Sequence, residues 1–173
     1  MMLDPRQLLL LTEMGIPVWA LRSTDEIPVD TIEQPIVDIG ALLERVTESD
    51  WLICVDNKLT EHTHRLLQAM LLTVDVSHAD ICLLSLAELK ELADTSEIET
   101  NQKVLFLLGE GAVKQAFDQS AHLANYRNEI HLMPRSQLAT IVSFSLEDLI
   151  QAPENKVLAW RDCQLAKKRQ QHL

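Results

Sequence analysis

The chain has 173 residues, of which 47% are hydrophobic and 24% charged, and its formal net charge is −11 at pH 7. That length can bury a real core within one domain. The negative balance repels nucleic acid phosphate and argues against a general DNA-binding surface. With only 4 glycines there is little material for phosphate-cradling loops, and the 3 cysteines (Cys54, Cys82 and Cys163) form no CxxC pair. An odd number of thiols, two of them in apolar runs, suits a reducing compartment rather than a disulfide framework. No signal-peptide pattern and no apolar window of membrane-spanning length is found, so a cytoplasmic protein without a membrane contact is expected.

In chain order, Asp4 caps and Pro5 starts a short helix that runs through Leu8, Leu9 and Leu11 and stops at Gly15. Ile16-Pro17-Val18-Trp19-Ala20-Leu21-Arg22 follows as an extended apolar segment, with Pro17 unable to donate to a sheet centre. Ser23 to about Pro35 reads as an acidic, proline-containing linker. On residues alone two readings stay open. The segment is either an edge element of the core or an anchor on a tether, and a tryptophan flanked by aliphatic residues suits the second.

Beyond the linker, Ile36–Ile39 reads as a short strand, and Leu42, Leu43 and Val46 as a brief helix. Trp51–Asp56 is a continuous apolar run of strand length ending in an Asp56-Asn57 turn, the pattern of a strand covered on both faces. A helix over Thr60–Leu72 follows, with Thr60 as its cap, then a strand at Ile81–Leu84. Ser85-Leu86-Ala87-Glu88 matches a capping box. Asp94–Asn101 is a polar loop, Lys103–Leu108 the clearest strand, and Gly109-Glu110-Gly111 its stop before a helix from Ala112 to Phe117. Ile130–Met133 and Thr140–Ser143 are further strands, and Ser145 opens a helix to about Gln151. Pro153 starts the last helix, with Val157, Leu158 and Trp160 expected towards the core and Lys167-Lys168-Arg169 at the dipole-favoured end. Alternating strands and helices give an α/β fold: a three-layer α/β/α sandwich around a mostly parallel sheet of about four strands, preceded by the N-terminal helix and extended segment.

Few residues look chemical. Gly109-x-Gly111 after a strand is half of a dinucleotide loop, but Lys114 stands where the third glycine belongs, so a tight turn is the better reading. His62 and His64, two apart on a helix, do not share a face for a metal, and strand structure at Cys82 spoils its spacing from His78. Asp56 sits at a strand C-terminus, where α/β folds place ligands, yet it has no nucleophile elbow or paired carboxylate beside it. No cofactor or metal is expected.

Arg6-Gln7-Leu8 and Met14-Gly15-Ile16-Pro17-Val18-Trp19-Ala20-Leu21-Arg22 resemble the N-terminal segment of the psi subunit of bacterial DNA polymerase III. The resemblance continues in Leu52–Asn57, Leu66–Thr73, Ile81–Ser85, Ser145–Leu149, Asn155 and Ala159-Trp160, in the same order along most of the chain. The chain departs from short members of the family by apparent extra length around residues 26–48 and 111–135, and by its heavy acidic charge. The resemblance implies a globular domain glycosylase-like in outline over residues 36–173, and a clamp-loader-binding segment with its linker over residues 1–35. It implies a subunit without catalysis of its own in a nucleotidyltransferase holoenzyme of DNA replication. That subunit would bind the gamma/tau clamp-loader collar through Gly15, Ile16, Trp19, Leu21 and Arg22. It would also pair with the chi subunit, and through chi with single-stranded DNA-binding protein, with no sequence-specific nucleic acid contact of its own. An apolar patch for chi is expected on the folded domain; the region around Trp160 is one candidate, with burial of Trp160 in the core as the alternative. A glycosylase-like or other nucleotide-processing α/β hydrolase using Asp56 is the rival reading.

Overall fold

A computed structural model of the protein describes residues 37–77, 80–95 and 102–171. Among these residues the order is α1 (Ile39–Glu48), β1 (Trp51–Val55), α2 (Glu61–Leu72), β2 (Ile81–Leu84), α3 (Leu86–Asp94), β3 (Val104–Leu108) and α4 (Glu110–Ala116). Then come α5 (Leu123–Tyr126), β4 (His131–Leu132), β5 (Ala139–Ser143), α6 (Leu146–Gln151), a 3-10 turn (Pro153–Asn155) and α7 (Lys156–Gln171). The described strands form one sheet in the order β2-β1-β3-β5-β4. β2, β1, β3 and β5 run parallel, with Trp51 beside both Ile81 and Val104 and Val104 beside Ala139. The two-residue β4 pairs antiparallel with β5 at the edge.

The continuous apolar runs are explained by burial on both faces, because alternate side chains of one strand enter different cores. From β1 and β3, Leu52, Cys54, Leu105 and Leu107 meet Leu42 and Val46 of α1, Leu89 and Leu92 of α3 and Val113 of α4. Trp51, Ile53, Val104 and Phe106 point the other way, against Leu67 and Leu71 of α2, Leu146 of α6 and Cys163 and Ala166 of α7. This is the expected three-layer α/β/α arrangement. Trp51 and Phe106 meet edge to face with ring centroids 6.4 Å apart, and the Trp51 indole N–H donates to Gln170 Oε1 at 2.8 Å. A polar handle satisfied in this way is what makes burial of tryptophan favourable.

Local signals fix most helix starts. Thr60 Oγ1 accepts from the Thr63 amide at 3.3 Å, and the Thr63 hydroxyl accepts from the Thr60 amide at 2.7 Å. Ser85 and Glu88 form the capping box, with the Ser85 amide donating to Glu88 Oε2 at 2.8 Å. Burial pushes the Glu88 carboxyl up, but the Ser85 and Arg45 hydrogen bonds outweigh it, and the group ends below its ordinary range.

Four expectations are corrected. Val37–Ile39 is not a strand: Asp38 accepts from the amides of Gly40 (3.0 Å) and Ala41 (3.3 Å), so Ile39 already opens α1. The cap overrides the β-branched run. α4 begins at Glu110 rather than Ala112. Pro153 opens a 3-10 turn before the last helix, and within that helix Val157 and Trp160 are 58% and 50% exposed instead of facing the core.

Candidate protein-binding face

The outward turn of Trp160 follows from which residues α7 spends on the sheet. Ala159, Cys163 and Ala166 are its buried apolar positions, spaced four and three apart on one helical face. Such small side chains let the helix lie close on the strands. Asp162 shares that buried face and is held there by polar partners: Ser143 Oγ donates to its Oδ2 at 2.7 Å, and Arg127 Nη2 donates at 3.0 Å. Arg127 in turn stacks on Phe144, its guanidinium carbon 4.1 Å from the ring centre. Burial pushes the Asp162 carboxyl up from its ordinary range, and the Ser143 and Arg127 contacts oppose that shift. Burial, with Asp162 adding, also lifts the Cys163 thiol to about 12, so it is an inert packing group.

With that face occupied, two bulky residues of α7 fall on its other side. Val157 and Trp160, three apart, are neighbours on the surface. Beside them a cavity of about 190 Å³ opens between α2 and α7, lined chiefly by Leu66, Ala69 and Met70 from one helix and Ala159, Trp160 and Cys163 from the other. A half-exposed tryptophan at the lip of an apolar cavity is the arrangement of a protein-interface anchor.

The carboxyl edge of the sheet, where an enzyme of this fold class would work, is built differently. Gly109 has φ +106°, and a Cβ there would come within 2.0 Å of Asp56 Oδ2. The Gly111 amide hydrogen-bonds to the Asp56 carboxylate, while burial, the larger influence, pushes that group above its ordinary range. Asp56 Oδ1 is buried without a partner. The Gly-x-Gly turn therefore already holds a carboxylate in the position a phosphate would need. This geometry supports the tight-turn reading of those glycines.

Other sequence candidates are dispersed. His62 and His64 are both exposed on α2, Cys82 is buried on β2, and His78 lies outside the described residues. Lys167 pairs with Asp75 at 2.7 Å. Among the described residues no group of three or more His, Cys, Asp or Glu could hold a metal, and no helix is long and apolar enough to cross a membrane. Gly15, Ile16, Trp19, Leu21 and Arg22 lie outside the described residues.

A family model described as the DNA polymerase III psi subunit matches residues 4–164. The chain belongs to the psi-subunit family of DNA polymerase III. Membership makes this psi chain an accessory subunit of the DNA replication polymerase. No curated protein matches it in sequence. The matched span takes in the N-terminal segment, the whole described sheet, Trp160 and the cavity between α2 and α7.

Proposed function

We propose that this psi chain is a bridge without catalysis of its own. Its N-terminal segment binds the gamma/tau clamp-loader collar, and its folded domain binds the chi subunit, through which the assembly reaches single-stranded DNA-binding protein. The observation that carries the chi contact is Trp160, an aromatic side chain 50% exposed beside an apolar cavity and next to the exposed Val157. For a stable complex the natural docking face is the one that leaves an aromatic anchor and a fitted cavity open to solvent.

For the clamp-loader contact the support is the Gly15-Ile16-Pro17-Val18-Trp19-Ala20-Leu21-Arg22 sequence within the family match. Trp19 fills a pocket on the collar, Gly15, Ile16 and Leu21 flank it, and Arg22 pairs with an acidic or carbonyl group. The same division gives the domain boundary: residues 1–35 form the binding segment and linker, and residues 36–173 the globular body, in the reducing environment of the cytoplasm.

A pull-down with purified clamp loader tests the first contact. Trp19→Ala is expected to weaken retention by at least about 2 kcal/mol while chi binding stays intact. Equal retention of the variant and the unaltered chain would remove Trp19 from its assigned role.

A further inference from the structure

Trp160 stands between two depressions, one almost wholly apolar and one that combines apolar surface with cations. The second, of about 390 Å³, lies between the segment at Asn128 and α7 and is lined by Arg161, Gln164 and Lys168 together with Leu165 and the buried Asp162. α7 carries Lys156, Arg161, Lys167, Lys168 and Arg169 against a single acid, Asp162, in a chain whose net charge is −11. That acid is turned inward and paired with Arg127. Although it lines the second depression, its carboxylate bonds to Arg127 and Ser143 and makes no ion pair with Arg161 or Lys168. Arg161 and Lys168 are exposed, and among the described residues neither has an ion-pair partner. The apolar anchor and the unpaired cations thus lie on one continuous surface of one helix.

From this surface we infer that the partner segment docked on Trp160 is acidic as well as apolar. It places an apolar side chain in the cavity between α2 and α7, passes over Trp160, and sets carboxylates in the second depression against Arg161 and Lys168. The inference rests on the reading that the Trp160 face is where chi binds, and names the chemistry of the chi segment that fits it. Charge complementarity selects this occupant. A basic segment would be repelled by Arg161 and Lys168, and a wholly apolar one would cover both cations and strip their water without pairing them. A second copy of this chain offers the same basic helix and is disfavoured for the same reason.

The test is a titration of the full-length chain with purified chi at several salt concentrations. The chains compared are unaltered, Trp160→Ala, and the double variant Arg161→Glu with Lys168→Glu. Because both cations are exposed and make no ion pair among the described residues, the double variant is expected to keep its melting temperature. At low salt it should bind chi about tenfold more weakly, and the deficit should shrink as salt screens the charges. Arg161→Gln with Lys168→Gln should fall between the two. Trp160→Ala should weaken binding at every salt concentration. If Trp160→Ala weakens binding but the charge-reversed chain binds as the unaltered one at low salt, the acidic partner is wrong and the docking face stands. If neither variant changes binding, both the acidic partner and the docking face are wrong.

Discussion

At the carboxyl edge of the sheet, Asp56, Gly109 and Gly111 fill one another's space, whereas along α7 Val157, Trp160, Arg161 and Lys168 face solvent. Both regions contain residue types that often mark function: a carboxylate over a glycine turn in one, an aromatic with cations in the other. The difference lies in what their groups still have to offer. Asp56 holds the Gly111 amide and blocks the space above Gly109. Trp160 presents half its surface next to an apolar cavity. In an α/β fold the strand ends are the customary ligand site, yet here an exposed aromatic side chain and an apolar cavity lie on the outer side of a helical layer. That contrast suits a subunit working through other proteins.

The largest expected effect breaks the first region. Gly109→Ala places a methyl against the Asp56 carboxylate at a backbone conformation that L residues rarely adopt. Combined strain and overpacking should cost about 3 kcal/mol of stability, measured by urea unfolding. In an Asp56→Ala background the steric part should disappear and only the backbone part remain. Chi binding by the folded fraction should not change in either case.

Trp160→Ala breaks the second region. It should weaken chi binding by at least about 2 kcal/mol, read by titration calorimetry, and shift the melting temperature little because half the side chain is already in water. The two substitutions therefore separate folding from recognition. If Trp160→Ala unfolded the domain as severely as Gly109→Ala, the outer face would have to be counted as core.

The smallest effect sharpens the comparison through pH. The Asp56 carboxyl is raised chiefly by burial. A raised folded-state value means the native state holds the proton more tightly than the unfolded chain. Its contribution to stability is therefore complete below the ordinary carboxylate range and lost as pH rises through the raised value. Asp56→Asn removes that term, so it should raise stability at neutral pH and flatten the pH profile just above the ordinary carboxylate range. Because the group is only partly buried, solvent screening keeps the gain under about 1 kcal/mol. Thermal melting across acid and neutral pH checks both the sign and the window.

Much of the fold was legible because its local chemistry agrees with its packing. Trp51–Val55 and Val104–Leu108 read as doubly covered strands and are so, and Thr60 and the Ser85–Glu88 pair announce the helices they cap. The strand expected at Ile36–Ile39 fails at Val37–Ile39 because one side chain, that of Asp38, captures two amides and turns the chain into α1. The orientation of α7 was misread for a different reason. Weighting by size put Val157 and Trp160 inside, whereas the buried positions are Ala159, Asp162, Cys163 and Ala166. The small residues at 159, 163 and 166 carried a usable signal, since a helix resting closely on a sheet needs them. The second depression had no local signal: it brings Asn128 beside a helix that begins only at Lys156.

The central claim is that two separate anchors make one bridge. Its most direct measurement is co-elution of chi with the clamp loader on gel filtration, with and without the full-length psi chain. Chi is expected to join the clamp loader only when the chain is present. Trp160→Ala should leave the chain on the clamp loader and release chi, and Trp19→Ala should leave the chain on chi and release the clamp loader. Co-elution that survives both substitutions, or that needs no psi chain at all, would contradict it.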